Sequence, residues 1–202
     1  MRTASRWPCH RCGHEGRRFA LVCPECEALP WREAPPITSL AGRLLERGVT
    51  IEIKSEGWLR LKHRFSTLKG FLGLLTRRYF GGADWLGVDG REWRIARAAP
   101  LTRTRFLWDE GTPVAAAQID RWRGAARLYQ GDDRYVLRRE GVLRSDYLLA
   151  LDSGSEPTPV ARLRGGLLDP VRSIELLEKT PVAILVLASY FASRLRSVET
   201  EE

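Results

Sequence analysis

The sequence predicts a mainly β fold, a closed antiparallel barrel around a hydrophobic C-terminal helix, preceded by a small zinc ribbon. Three observations carry this expectation. Two C-x-x-C pairs stand within the first 26 residues, short alternating stretches separated by turn residues fill the middle, and an uncharged run extends from Thr180 to Ser193. Apolar residues occupy every side of a helical wheel drawn over that run, so a helix there must be buried all round, in protein or in lipid. Its 14 residues fall short of the roughly 20 that cross a bilayer. Protein is therefore the preferred surround, and no transmembrane span is expected.

A chain of 202 residues allows one sizeable domain and a small appendage. The expected division is a zinc ribbon with a proline-rich linker over residues 1–36 and the β domain over residues 37–202, with the helix at about 180–196. Apolar residues make up 44% of the chain, which excludes disorder as the default. The first 20 residues contain Arg2, Arg6, Arg11, Arg17 and Arg18 and no apolar segment of the kind a signal peptide carries. With the cysteines confined to a metal-like pattern, the expected compartment is the cytoplasm, with peripheral membrane attachment as an extension.

Cys9, Cys12, Cys23 and Cys26 form the N-terminal motif. Each C-x-x-C pair can grip one side of a tetrahedral ion, and four thiolates complete a closed structural Zn²⁺ site. Gly13 suits the tight turn after the first pair, and Arg17 to Val22 has the character of a connecting strand. Redox use of the pairs lacks the βαβ context that such chemistry favours. His10 and His14 remain possible substitute ligands, although four cysteines already fill the shell. A closed shell leaves no position for substrate, so the ribbon is assigned no catalysis. Pro30, Pro35 and Pro36 then mark the linker, with Trp31 within it.

A short helix is expected around Ser39 to Arg47. Val49, Ile51 and Ile53 then alternate with Thr50, Glu52 and Lys54, and Leu59, Leu61 and His63 alternate with Arg60, Lys62 and Arg64. That is a hairpin whose second strand carries one wholly basic face. His63 sits in line with two leucines and is expected to be a satisfied, half-buried residue rather than a ligand. From Phe65 to Tyr79, Leu68, Phe71, Leu72, Leu75 and Tyr79 recur at helical spacing beside Lys69, Arg77 and Arg78. This predicts an amphipathic helix, weakened by Gly70 and Gly73. It could lie on a membrane surface with its basic residues toward phosphates, but packing across a β structure is the preferred reading.

From Ala83 the chain reads as a meander. Asp89-Gly90 predicts a two-residue hairpin between Trp85–Val88 and Glu92–Ala96. Further strands are expected at Thr104–Trp108, Val114–Ile119, Ala125–Tyr129, Tyr135–Arg139, Val142–Leu151 and Val160–Leu163. Asp169-Pro170 looks like a helix start, with Val171 to Glu178 a short helix or a last strand. Thr180 is placed to cap the final helix, and Pro181 to occupy its first turn.

This order of parts resembles the tubby-like superfamily, which includes the LURP-one-related proteins and the phospholipid scramblases. The residues that carry the likeness are the glycine-punctuated strands from Val49 to Leu163 and the helix Pro181–Phe191. The resemblance implies a closed antiparallel barrel of about a dozen strands around a hydrophobic helix. It covers about three quarters of the chain and is one of pattern rather than of a diagnostic motif. Eukaryotic tubby members bind phosphoinositides through basic surface residues, but no ligand position of theirs maps onto this sequence. The zinc ribbon lies outside the family's core.

Net charge is +8, and the excess sits between residues 43 and 145, where 21 Arg and Lys face 12 Asp and Glu. Such a surface can attract phosphate groups on lipid or nucleic acid. Only four of the 33 basic residues are lysine, a skew that fits plain solvent-facing charge equally well. The sequence holds no G-x-S-x-G, P-loop, H-E-x-x-H or G-x-G-x-x-G motif, and His63 alone lies outside the knuckles. Asp132-Asp133 reads as a solvated turn, and an enzyme is not expected.

The expected function is that of a non-catalytic binding or scaffold protein recognising a protein partner or an anionic phospholipid headgroup. Arg60, Lys62, Arg64, Lys69, Arg77 and Arg78 are the anionic-ligand candidates. The alternative is nucleic-acid binding by the ribbon and basic centre, with Trp93, Trp108 and Trp122 stacking on bases. A third reading makes the final helix a short membrane anchor.

Overall fold

Where apolar and polar residues alternate in the described part of this chain, the backbone is extended, and in most of these strands the apolar set faces one common interior. The structure is a computed structural model. It describes residues 7–8, 15–16, 43–56, 62–76, 84–88, 91–97, 104–109, 112–120, 124–141, 146–154, 156–165 and 171–199. Two short strands near the start, Trp7–Pro8 (β1) and Glu15–Gly16 (β2), pair with each other. Leu44–Leu45 (β3) pairs with a late two-residue strand described below.

Twelve longer strands follow: Thr50–Glu56 (β4), Lys62–Thr67 (β5), Gly70–Thr76 (β6), Asp84–Val88 (β7), Arg91–Arg97 (β8) and Thr104–Asp109 (β9), then Thr112–Asp120 (β10), Ala125–Gln130 (β11), Asp133–Arg139 (β12), Tyr147–Leu151 (β13), Thr158–Arg164 (β14) and Ser173–Leu176 (β15). Each pairs antiparallel with the next. β15 returns to β4 through Ser173↔Glu52, Ile174↔Ile51 and Glu175↔Thr50, which closes the ring. Thr180–Pro181 (β16) lies against β3, and the single helix, Val182–Glu199 (α1), completes the chain.

The register sets the interior. Ile51, Ile53, Phe65, Leu75, Trp93, Ile95, Leu107, Leu128, Leu137, Leu149, Leu163 and Ile174 all point inward and are almost fully buried. Every residue from Val182 to Ala192 is buried as well, so α1 has no solvent face over three turns. Burying one Leu or Ile completely is worth roughly 1.5–3 kcal/mol, so the helix and its wall together supply most of the apolar burial here. Outward positions carry charge instead: Glu52, Lys54, Arg64, Arg94, Arg127, Arg138 and Arg164 are exposed. The described strands thus lack the outward apolar belt of a membrane barrel. Among the described residues, no helix is long and apolar enough to cross a membrane.

The fold class expected from the sequence needs correcting in how the wall is built and where the helix sits. Of the stretch Phe65 to Tyr79, expected as an amphipathic helix, the described residues 65–76 are the end of β5, a two-residue turn and the whole of β6. The helical stripe fails because Leu68 and Phe71 are exposed while Leu72 and Leu75 are buried. Gly70 turns the chain at φ 126°, a value few side-chain-bearing residues adopt. Leu72 is the extra residue of a bulge, since Phe65 pairs with Gly73 but Ser66 with Phe71. The helix expected around Ser39 to Arg47 is, over its described part, the strand β3 and a turn. Val171 to Glu178 holds the strand β15.

The helix is also not equidistant from its wall. Its backbone comes nearest β10 and β11, where Ala115, Ala117 and Ala126 point inward. Small side chains permit that approach, whereas the bulkier inward residues elsewhere hold the backbone off. The start of α1 differs from expectation too. Thr180 Oγ1 donates backward to the Glu178 carbonyl at 2.9 Å, and the Val182 N–H donates to the Arg43 carbonyl at 3.0 Å. The first orphan donor of the helix is thus met by the β3 segment rather than by a capping hydroxyl. The ribbon expected over residues 1–36 lies mostly outside the described residues.

Candidate functional site

The β4–β5–β6 sheet brings together those basic candidates that the structure describes. On the outer face of β5, Lys62 and Arg64 stand two residues apart, as strand periodicity requires, and both are exposed. Their neighbours across β4 are Glu56 and Lys54. Arg64 Nε donates to Glu56 Oε1 at 2.5 Å, and Lys54 lies 3.9 Å from Glu52. The strand face is therefore basic in sequence but partly neutralised by its partner strand. Of the described basic residues on β4, β5, β6 and their turns, Lys62 at the start of β5 and Lys69 form no ion pair. Arg60, Arg77 and Arg78 lie outside the described residues.

Lys69 belongs to a different part of the same hairpin. Thr67 pairs with Gly70, so Leu68 and Lys69 form a two-residue tip, with the Lys69 N–H donating to Thr67 Oγ1 at 3.2 Å. Leu68 is fully exposed, at 105% of its reference area, and Phe71 just beyond the tip is 54% exposed. The Arg64 guanidinium lies 5.5 Å from the centre of the Phe71 ring, holding that ring against the outer face of β5. A tip normally carries Gly, Asn, Asp or Ser, which meet the backbone's needs and prefer water. Here it carries leucine.

Sequence reasoning missed this apolar tip because it assigned Leu68 and Phe71 to a buried helical stripe. The available signal was the position of Leu68-Lys69-Gly70 between two alternating runs, which is a hairpin signature.

A second concavity, of about 280 Å³, opens beside β11 and β12 and is lined by Asp120, Arg127, Tyr129, Arg134, Tyr135 and Asp152. Its charges are mixed, so it selects no ion of one sign. Burial, and after it the nearby Asp133 carboxylate, raises the Tyr135 phenol above its ordinary pKa of 10.0. The phenol stays protonated at neutral pH and offers no base. His63, expected to be half-buried and satisfied, is instead buried, with Nδ1 3.3 Å from Ser55 Oγ, and its Nε2 makes no hydrogen bond among the described residues.

The aromatic residues proposed to stack on bases do not form a platform. Trp93 is fully buried in the core, and Trp108 is partly buried with its ring edge-on to Phe106 at 5.8 Å. Trp122 lies outside the described residues.

Cys9, Cys12, Cys23 and Cys26 also lie outside them. What is described there is the bridge that brackets the first pair: Trp7 faces Gly16 and Pro8 faces Glu15 in antiparallel register. Among the described residues, no group of three or more metal-ligating side chains occurs. Comparison of the chain with family models, with curated proteins and with solved structures found no match.

Proposed function

We propose that the protein is a non-catalytic binding or scaffold protein, a tubby-like β domain with a zinc-ribbon arm, that recognises an anionic lipid headgroup or a protein partner. The observation that carries this reading is the tip of the β5–β6 hairpin, where Lys69, a cation without an ion pair, stands beside the exposed Leu68 and Phe71. Exposed apolar side chains beside uncompensated cations mark an interaction surface rather than a reaction centre. The buried helix inside a mainly β wall supports kinship with the tubby-like proteins. Cysteines at metal-ligand spacing rather than in a disulfide framework support a cytoplasmic protein.

Co-flotation of the full chain with vesicles tests the lipid branch. Enrichment with vesicles containing phosphatidylserine, weakening as salt is raised, is the expected outcome; equal recovery with purely zwitterionic vesicles removes that branch. The arm is checked by its metal content. One Zn²⁺ per chain is expected, abolished by a Cys9→Ser/Cys12→Ser double substitution, and a metal-free protein with intact thiols would refute it.

Nucleic-acid binding is the less favoured alternative, because Trp93 is buried and cannot reach a base. Arg94, Arg127 and Arg138 on the outer face are what remain for it.

A further inference from the structure

We infer that the β5–β6 tip is a wedge that enters the headgroup layer of an anionic membrane, with Leu68 and Phe71 as the inserted side chains and Lys69 as the headgroup contact. The inference rests on the lipid branch of the proposed function and assigns it an element.

Three features favour a lipid surface over a protein. The first is shape. Thr67 and Gly70 pair directly, so Leu68 and Lys69 project beyond the last rung of the ladder and form a convex point. The second is area. A stable protein interface needs roughly 800 Å² from each partner, and two side chains at a point supply a fraction of that. A bilayer surface needs no matching pocket, because interfacial binding scales with buried apolar area plus attraction to anionic lipid.

The third is charge. Glu52 and Glu56, the carboxylates across from β5 on β4, are engaged by Lys54 and Arg64, so neither neutralises Lys69, the cation at the tip, which has no ion pair. Arg64, held over Phe71 at 5.5 Å, travels with that ring and keeps its charge at the level of the headgroups. The charge left over is positive and sits beside the apolar point, which complements a surface of acidic lipids.

The test uses the full chain with phosphatidylcholine vesicles, with and without phosphatidylserine, and compares wild type with Leu68→Asp/Phe71→Ser and with Lys69→Ala. The double substitution is expected to weaken partition about tenfold or more. Lys69→Ala is expected to weaken it about fivefold at low salt and less at high salt. Melting temperatures should match wild type, since both apolar side chains are already exposed. A fluorophore on Leu68→Cys should shift to the blue on anionic vesicles only.

Wild type that binds anionic vesicles while the variants bind equally well overturns the wedge and leaves the lipid reading standing. Wild type that binds no vesicles overturns both. A concentration-dependent dimer, lost in the double variant and insensitive to vesicles, overturns the wedge in favour of a contact between two copies of the chain.

Discussion

The β10–β11 wall and the β5–β6 hairpin use the same building rule to opposite ends. Both are antiparallel pairs with an inward apolar row. At β10–β11 that row carries Ala115, Ala117 and Ala126 beside Leu128, and the helix backbone comes close where the side chains are small. At β5–β6 the inward row is full-sized, with Phe65 and Leu75, and two further large apolar residues are left outside. In the first region small residues record a packing demand that the fold satisfies. In the second, large residues remain where folding gives them little return, and the proposed wedge is built on them. Residue type alone does not separate the two cases; the side of the sheet does.

Breaking the first region should have the largest effect. Leu187 is fully buried on α1, and Leu187→Asp would place a carboxylate with no water and no partner in the core. Loss of about 4 kcal/mol or more is expected, enough to abolish cooperative melting in most domains of this size. A melting transition like that of wild type would refute the enclosed position of the helix. Ala117→Leu is a gentler probe, because it adds volume where the helix backbone is closest. Destabilisation of about 1–3 kcal/mol is expected from denaturant titration. The same change at a spacious site would be neutral, so a neutral result would show that the approach of α1 to β10 and β11 is loose.

At the other end of the scale stand the hairpin substitutions. Leu68→Asp should move stability by no more than about 0.5 kcal/mol, and its effect should appear in binding alone. A large loss of stability would mean that Leu68 packs against something, and the contrast between the two regions would collapse.

Legibility in the sequence followed burial. Strands such as β4, β8 and β12 alternate between an apolar interior and a charged exterior, and period two marks them without further help, whereas β9 turns Arg105 and Asp109 inward beside Leu107 and leaves Phe106 and Trp108 on the other face. The final helix was legible for the converse reason, since a run with no polar side can only be enclosed. The stretch from Phe65 to Thr76 was not legible. Its bulge at Leu72 shifts the alternation by one residue, and the apolar tip adds a leucine where a turn usually carries a polar residue. Together these imitate the three-and-four spacing of a helix. The candidate site suffered the same fate: Lys62, Arg64 and Lys69 could be named as basic residues, but Glu52 and Glu56 could be matched to their neighbours only through strand register.

The sequence by itself determined that the protein is mainly β, that one C-terminal helix must be buried on all sides, and that four cysteines stand at metal-ligand spacing. Those are local properties, set by periodicity and by the chemistry of each residue. Tertiary structure decided the rest. It brought β15 back to β4 across more than a hundred residues, drew the helix toward its alanine-lined side, and let the Arg43 carbonyl meet the first helical N–H in place of Thr180. It also decided which cations stay uncompensated. Pairing between distant segments has no local signature, because a strand's hydrogen-bonding groups are the same whatever its partner, and only the closed set of contacts selects one.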